Sequence, residues 1–285
     1  MKKIIVTGAN GQLGRAINQL ISEEYHLINT DIRIPGINEL DITDMNQVVN
    51  MVRDVKPYAI INTAAHTAVD VCETDIDNAY RINAIGPRNL SIAASEVNAK
   101  LIHISTDYVF DGQANVPYNE FDATGPTGVY GKSKLAGENF VKDFARNYFI
   151  IRTAWLYGDG KNFIRTMLRL AETNETVRVV NDQLGTPTSA LELARAILWL
   201  LPTDYYGLYH GTCEGSCSWA DFAEEIFKVY DLKTKVEQIS SDEYKTAAKR
   251  PAFSILHNYM LELCGGYRFT DWHDALKEYK DGLFT

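Results

Sequence analysis

A tyrosine and a lysine four residues apart, Tyr130 and Lys134, are the side chains of this 285-residue chain best suited by type and spacing to acid–base chemistry. Residues 129–144 are compatible with a helix, in which positions i and i+4 lie on one face. An ammonium group beside a phenol should lower the phenol's pKa, and an oxidised nicotinamide would lower it further. Such a phenol is suited to proton exchange with a carbonyl or alcohol oxygen. The alternative is an exposed pair with no role in catalysis.

A second pair with the same spacing, Tyr157 and Lys161, shows that spacing alone is weak evidence. Residues 158–160 read Gly-Asp-Gly and predict a loop, so no fixed geometry follows for this pair. A hydroxyl is also available near Tyr130, because the strand-like run 101–105 ends at Ser105 and is followed by Thr106. A hydroxyl at a strand end could polarise a reacting oxygen, or it could simply cap a loop.

The start of the chain predicts a dinucleotide site. A short apolar run, 4–6, is followed by Gly8, Gly11 and Gly14 and then by a helical pattern. Glycines let the backbone approach a pyrophosphate, whose charge is stabilised at the helix N-terminus. The spacing GxxGxxG differs from GxGxxG, so the glycines are weak evidence by themselves. Asp31 follows the next apolar run at about the distance expected for an acidic residue that binds the adenosine ribose.

The elements that would position these residues alternate along the chain. Strand-like runs are predicted at 4–6, 26–29, 58–62, 101–105 and 149–153, and helices at 12–24, 44–54, 77–97 and 128–144. This alternation predicts an α/β fold with a Rossmann-type, doubly wound parallel sheet. Ligands of such sheets bind beyond the C-terminal ends of the strands, which is where the candidate residues fall.

The regular alternation of predicted strands and helices ends near residue 155. Helical patterns at 162–171, 189–201 and 218–230 are separated by loops that carry glycine, proline and cysteine. We therefore predict an NAD(P)-binding Rossmann domain over residues 1–155 and a smaller C-terminal α/β lobe over residues 156–285 that mainly binds substrate. No linker separates them, so we expect interleaved lobes and place the boundary only to within about ten residues.

Composition and charge restrict the partners. The net charge is −9 and no run of Lys or Arg exceeds two residues, which argues against a nucleic-acid surface. The apolar run at the N-terminus is too short for a signal peptide, and no later run could cross a bilayer. The four cysteines lack CxxC spacing, and we expect no metal site even where His210, Cys213 and Cys217 fall close together. We expect a cytoplasmic protein with reduced thiols that binds neither nucleic acid nor membrane.

Several segments resemble the extended short-chain dehydrogenase/reductase family. They are TGANGQLG, NTAAHTAVD, ISTDYVFDG, the pair Tyr130 and Lys134, RTAWLYG and NDQLGTPT, which lie between residues 7 and 188, with a weaker similarity at 249–251. The segments ISTDYVFDG and NDQLGTPT are the most specific, and they look like those of the family's reductases of dTDP-linked ketosugars. The resemblance implies that NADH or NADPH delivers hydride to the C4 ketone of a dTDP-sugar.

The resemblance also implies roles for individual residues. Thr106, Tyr130 and Lys134 would be the catalytic triad: Tyr130 donates a proton to the C4 oxygen, Lys134 binds the nicotinamide ribose and Thr106 holds the carbonyl. With the glycine turn included, the cofactor-binding residues would be Gly8, Gly11, Gln12, Leu13, Gly14, Asp31, Asp41, Ile42, Ala65, His66, Thr67, Tyr130 and Lys134. The substrate-binding residues would be Thr106, Asp107, Trp155 and, at the diphosphate, Arg250.

Some of these roles have plainer alternatives. Trp155 could cover the apolar side of a deoxysugar or only fill the core. His66 could be structural, and Arg250 could be an ordinary surface residue rather than a bidentate phosphate ligand. Asp31 slightly favours NADH, because a carboxylate repels a 2′-phosphate, whereas Arg33 could accommodate that phosphate and permit NADPH.

Other functions in the same fold remain open. One is another sugar-nucleotide reductase or epimerase; a 4,6-dehydratase is less compatible, since Tyr108 stands after Asp107 where dehydratases carry a glutamate base. Another is a non-catalytic NAD(P)-binding subunit resembling the regulatory subunit of methionine adenosyltransferase, and a third is an NAD(H)-binding redox sensor. A Mg²⁺ requirement cannot be read from the sequence, and a homodimer is an assembly that the sequence leaves open.

Overall fold

The strands of the structure, a computed structural model that describes residues 1–32, 34–244 and 246–283, form one large sheet and three strand pairs within those ranges. They are β1 (Lys2–Thr7), β2 (Tyr25–Asp31), β3 (Asn38–Glu39), β4 (Ala59–Asn62), β5 (Lys100–Thr106), β6 (Asn147–Thr153), β7 (Leu156–Tyr157), β8 (Thr176–Val180), β9 (Leu184–Gly185), β10 (Thr188–Ser189), β11 (Gly207–His210), β12 (Cys217–Ser218) and β13 (Lys235–Ile239).

The helices alternate with the strands. They are α1 (Gln12–Leu20), α2 (Met45–Val55), α3 (Val69–Cys72), α4 (Ile76–Tyr80), α5 (Gly86–Glu96), α6 (Val129–Phe144), α7 (Phe163–Ala171), α8 (Ala190–Leu200), α9 (Trp219–Val229), α10 (Tyr259–Leu263) and α11 (Trp272–Leu283). A π-helical turn spans Arg81–Ile85, and 3₁₀ turns span Asp107–Val109 and Ser241–Glu243.

The large sheet has the order β3–β2–β1–β4–β5–β6–β11, and every neighbouring pair is parallel. Consecutive residues of a strand face opposite sides of a sheet. In β1, Ile4 and Val6 pack with α1 and α8, whereas Ile5 packs with α2, α5 and α6. Helices therefore cover both faces, which confirms the doubly wound Rossmann-type sheet and explains why central strand segments such as residues 4–6 and 59–61 are apolar and fully buried.

The helix predicted over residues 77–97 is present, since the backbone is continuously helical from residue 76 to residue 96, but it is not a uniform α-helix. A π-helical turn separates α4 from α5 without a break in helical backbone. Pro87, which cannot donate a backbone hydrogen bond, lies at the start of α5 directly after this turn. The π turn directs Asn83 inward, where its amide donates to the carbonyl of His66 and to the hydroxyl of Ser133. Through Asn83, the π-helical turn links the loop after β4 to α6.

The chain after residue 156 contributes to two hydrophobic cores. One of these cores is separate from the large sheet. It is surrounded by α7, α9, α11 and β8, with β13 paired to β8, and we call these elements the small lobe. However, β11 pairs with β6 in the large sheet, and α8 packs against α1 on that sheet. The division into residues 1–155 and 156–285 stays a prediction about folding units, and the described chain crosses that division more than once.

Candidate active site

A cavity of about 870 Å³ lies at the C-terminal ends of β1, β2, β4, β5 and β6, and the small lobe closes its far side. A volume of this size is typical of ligand sites, although at the large end of the range. The predicted residues that line it are Gly8, Gly11, Gln12, Leu13, Asp31, Asp41, Ile42, Ala65, Thr67, Thr106, Asp107, Tyr130, Lys134, Trp155 and Arg250. The strand ends thus gather residues from widely separated segments.

The glycine turn between β1 and α1 forms a cradle of the kind that a pyrophosphate requires. Gly8 has a φ of +66°, and a Cβ there would lie 2.7 Å from the backbone nitrogen of Ala64. Gly11 is the N-cap of α1 and has no side chain, so the N–H groups of the first turn face outward without a side-chain acceptor. These residues fit a dinucleotide phosphate.

Two of the predicted cofactor residues are not on the cavity wall. Gly14 lies one turn into α1, and a Cβ there would be 2.6 Å from the Cα of Ala9, so this glycine permits close packing of helix against turn. His66 donates its backbone N–H to Asn83 and accepts from the same amide. Its ring lies 3.9 Å from a carboxylate oxygen of Asp75. The geometry favours structural roles for Gly14 and His66.

Asp31 ends β2 beside the glycine turn. Its two carboxylate oxygens accept the N–H groups of Asn10, at 3.0 Å, and Ile32, at 2.8 Å. A carboxylate oxygen has more than one lone pair, so both retain capacity for ribose hydroxyls. Asp41 and Ile42 continue the wall next to it. Arg33, the residue expected to accommodate a 2′-phosphate, lies outside the described residues.

Tyr130 and Lys134 lie in the first two turns of α6, both facing the cavity. The predicted lowering of the phenol's pKa is wrong for this geometry. Burial raises the pKa of Tyr130 above its ordinary value, and the nearby Asp107 carboxylate adds to the rise. The amine of Lys134 donates to the carbonyl oxygen of Ile104 at 2.6 Å, and burial lowers its own pKa to about 8.

The end of β5 brings a hydroxyl and a carboxylate to the phenol. Thr106 donates to Asp107 Oδ1 at 2.8 Å and accepts the N–H of Tyr108 at 3.3 Å. Hydrogen bonding with Thr106 acts to lower the pKa of Tyr130 and so partly offsets the effect of burial. Burial raises the pKa of Asp107 to about 6. Thr106 is therefore held beside the phenol by its own strand end.

Tyr108 is a cavity residue that the sequence analysis used only to argue against dehydration. Its ring packs edge-to-face on Tyr130, with centroids 5.3 Å apart and an interplanar angle of 76°. A Cβ on Gly131 would lie 2.1 Å from the carbonyl oxygen of Tyr108. A glycine directly after Tyr130 is thus the sequence feature that indicates this close approach of helix and loop.

The two residues of the second Tyr–Lys pair, Tyr157 and Lys161, lie in different environments. Tyr157 is fully buried in the core of the small lobe, whereas Lys161 is exposed beyond the loop that residues 158–160 form. The pair therefore has no shared site.

Trp155 lies on the cavity wall in an unusual backbone conformation, with a φ of +48°. Its indole stacks on Trp219 at a centroid distance of 3.6 Å and an interplanar angle of 9°. A Cβ on Gly185 would lie 2.4 Å from the same ring. One face of the indole is thus already covered. Trp219 and Phe163 also line the cavity, and the sequence does not predict them because nothing local links α9 or α7 to Trp155.

Arg250 belongs to the cavity wall and is not a free surface residue. It pairs with Asp70 at 2.7 Å and donates to the hydroxyl of Tyr108 at 3.3 Å. No group of three or more His, Cys, Asp or Glu side chains with metal-binding geometry occurs within the described ranges. Across the same ranges, none of the helices has the length and apolar character needed to cross a membrane.

A dinucleotide cradle at the strand ends shares one cavity with a buried Thr106, a half-buried Tyr130 and a buried Lys134. This combination defines an NAD(P)-dependent oxidoreductase of the short-chain dehydrogenase/reductase type. Comparison with known proteins narrows this class. The chain belongs to the RmlD substrate binding domain family, which matches residues 1–284.

The relatives are similar over nearly their whole length. A dTDP-4-dehydrorhamnose reductase from Sinorhizobium fredii is 40% identical over 287 residues, covering 96% of this chain and 95% of the relative. The crystal structure of a dTDP-4-dehydrorhamnose reductase from Clostridium acetobutylicum superimposes with a TM-score of 0.96 at 51% identity, covering 99% of this chain and 100% of that chain. The enzyme of the same name from Bacillus anthracis, in complex with NADP, has a TM-score of 0.95 at 44% identity and the same coverage.

Proposed function

We propose that this protein is an NAD(P)H-dependent dTDP-4-dehydrorhamnose reductase, which reduces the C4 ketone of dTDP-4-dehydro-L-rhamnose to give dTDP-L-rhamnose. The observation that carries the proposal is the half-buried Tyr130, which lines one cavity together with Thr106 and the dinucleotide cradle in a chain that is 40% identical to such a reductase. The cofactor supplies the hydride. The remaining chemistry is the delivery of one proton to the C4 oxygen.

The protonation states of the site suit that delivery. Because burial raises its pKa, Tyr130 is a neutral phenol at pH 7 and has a proton to give. The oxygen that develops at C4 is an alkoxide, a stronger base than a phenolate, so the proton moves towards the substrate. Lys134, with a pKa of about 8, is mostly an ammonium at neutral pH and stabilises the phenolate left behind.

Thr106 and Asp107 orient the ketone. The Thr106 hydroxyl lies at the end of β5, where it can exchange its bond to Asp107 for one to the substrate oxygen. We assign the rest of the sugar to Trp155, whose indole is held by Trp219, and the diphosphate to Arg250. The cofactor contacts are assigned to Gly8, Gly11, Gln12, Leu13, Asp31, Asp41, Ile42, Ala65 and Thr67.

The alternative functions are less well supported. Elimination needs a base that removes a proton from carbon, and the carboxylate next to Thr106 at the strand end, Asp107, is buried and accepts the Thr106 hydroxyl. The intact Thr106, Tyr130 and Lys134 argue against a non-catalytic subunit or sensor. For the cofactor we propose that both NADH and NADPH are used, with NADH slightly favoured by Asp31.

The test is a spectrophotometric assay of NADH and NADPH oxidation against dTDP-, UDP- and GDP-linked 4-ketosugars. We expect turnover with dTDP-4-dehydro-L-rhamnose and much slower turnover with the UDP and GDP compounds. A wild-type protein that oxidises neither cofactor with the dTDP-ketosugar would reject the proposal.

Location and assembly belong to the same proposal. We propose that the enzyme acts in the cytoplasm, since its four cysteines are free and three of them are buried as ordinary core side chains. A homodimer is a proposal that sedimentation velocity can test directly.

A further inference from the structure

The carboxylate of Asp70 makes two hydrogen bonds between the Rossmann part of the chain and residues 248–250. Asp70, in the short helix α3, accepts the backbone N–H of Ala248 on Oδ1 at 2.9 Å. Its Oδ2 accepts from Nη2 of Arg250 at 2.7 Å. Both bonds go to the same short segment, one to its backbone and one to its guanidinium. Asp70 therefore fixes where the segment runs and which way Arg250 points.

The guanidinium that Asp70 holds faces the cavity. Arg250 lines the cavity wall, while the partly exposed carboxylate of Asp70 approaches it from outside that wall. A guanidinium carries five N–H donors in a planar fork. Asp70 engages Nη2 and Tyr108 engages Nη1, and the donors that remain suit an oxyanion of a phosphate.

Arg250 is one of two cationic side chains on the described cavity wall. The lining residues of the described chain include the carboxylates Asp31, Asp41 and Asp107, with Lys134 and Arg250 as the cations. Lys134 is buried and donates to a backbone carbonyl. Of these two cations, Arg250 is therefore the one that keeps donors available for an anionic ligand.

From these contacts we infer that Asp70 is a positioning residue, which holds Arg250 in the orientation that binds the diphosphate of a nucleoside diphosphate sugar. The inference rests on the proposed function and deepens it. Asp70 acts through Arg250 and does not touch the reacting atoms. Its loss should therefore weaken binding of the sugar nucleotide while the chemical step, which depends on Tyr130, continues.

The arrangement also predicts how the effect divides between KM and kcat. Tyr108 contacts Arg250 on one side and the ring of Tyr130 on the other. Tyr130 is nevertheless fixed independently by α6 and by the close approach of Gly131 to the Tyr108 backbone. Most of the loss should thus appear in KM, with kcat changed by about threefold or less.

The experiment compares Asp70→Asn with Asp274→Asn. The asparagine keeps an oxygen for the N–H of Ala248 but loses the charge that holds Arg250. Asp274 pairs with Lys277 at 2.8 Å on the exposed side of α11, so its variant removes a carboxylate charge of the same type away from the cavity. Calorimetry measures the binding of dTDP, thymidine and NADH, and steady-state assays give KM and kcat for the ketosugar.

For Asp70→Asn we expect about tenfold weaker dTDP binding and about tenfold higher KM, the size of a partly exposed, charge-assisted hydrogen bond. Thymidine and NADH should bind as to the wild type, and Asp274→Asn should change nothing. In an Arg250→Ala background, Asp70→Asn should have no further effect, because the two residues act as one unit.

Three results would overturn the inference. Asp70→Asn could behave like Asp274→Asn, its effect could add in full to that of Arg250→Ala, or it could weaken thymidine and NADH as much as dTDP, which would show a purely structural role. Failure of the proposed function is distinguishable, because the wild type itself would then neither bind dTDP nor reduce the ketosugar.

Discussion

Replacing Lys134 by methionine should make the protein more stable while abolishing its turnover. Lys134 is 2% exposed, and its amine donates to the carbonyl of Ile104. Burial lowers the pKa of this amine from 10.5 to about 8, so at neutral pH the fold retains an ammonium that it disfavours. Methionine has a similar length and no charge, and therefore fills the same space without that cost.

The magnitude follows from the pKa. A fall from 10.5 to about 8 corresponds to about 3 kcal/mol of unfolding free energy at roughly 1.4 kcal/mol per tenfold change. The carbonyl of Ile104 loses its partner in the variant, at a cost of about 1 kcal/mol. Lys134→Met should therefore raise the free energy of unfolding at pH 7 by about 2 kcal/mol.

The gain should disappear as the pH rises. Between pH 8 and 10.5 the unfolded wild-type chain binds more protons at Lys134 than the folded chain does, so wild-type stability rises with pH in this window. Methionine does not titrate, and the difference between the two proteins should shrink accordingly.

Denaturant unfolding of both proteins at pH 7, 8, 9 and 10 measures this difference. Lys132→Met, which replaces an exposed lysine of the same helix, is the control and should stay within about 0.5 kcal/mol of the wild type throughout. A Lys134→Met protein that is less stable than the wild type at pH 7, or equally more stable at every pH, would refute the reasoning.

Three other changes test the remaining assignments. Tyr130→Phe should fold and bind cofactor but lose a factor of about 10² to 10⁴ in kcat. The control Tyr157→Phe, in the small-lobe core, should keep kcat within about tenfold of the wild type. A near-normal kcat in Tyr130→Phe would contradict the proton-donor role. Asp31→Ala should lower the ratio of the KM for NADPH to that for NADH, and a wild-type preference for NADPH that the change leaves unaltered would show that the ribose assignment is wrong. Trp155→Ala should weaken calorimetric binding of dTDP-rhamnose but not of NADH, while equal losses for both would mean that the Trp155–Trp219 stack only supports the core.

The sheet could be predicted from the sequence because its signals are local. Runs such as Ile4–Val6 are buried on both faces, and their apolar character alone marks them as strands of a parallel sheet. The glycine turn could also be predicted from the sequence, since Gly8 has a positive φ that residues other than glycine rarely adopt. The π-helical turn could not be predicted, because it depends on bonds that Asn83 makes to residues far away in sequence.

Most of the predicted site residues line one cavity, but the sequence did not predict the electrostatics there. Helical spacing correctly placed Tyr130 and Lys134 on one face. It could not reveal that Lys134 donates to Ile104, or that burial dominates the pKa of Tyr130, because both effects come from the surrounding fold. The same limit applies to Trp219 and Asp70, whose partners lie in distant segments.

The position of β11 has a consequence for how the protein can be made and altered. A chain that stopped at residue 155 would leave β6 as a bare sheet edge, and the apolar face of α1 around Ile17 would lose the cover that α8 provides. The nucleotide-binding half therefore cannot be completed during synthesis until residue 210 has emerged from the ribosome. Nor can the small lobe be exchanged for that of another enzyme with a single cut. A graft of the small lobe needs at least two junctions, one before α8 and one after β11, because these two elements belong to the large sheet and its helical layer.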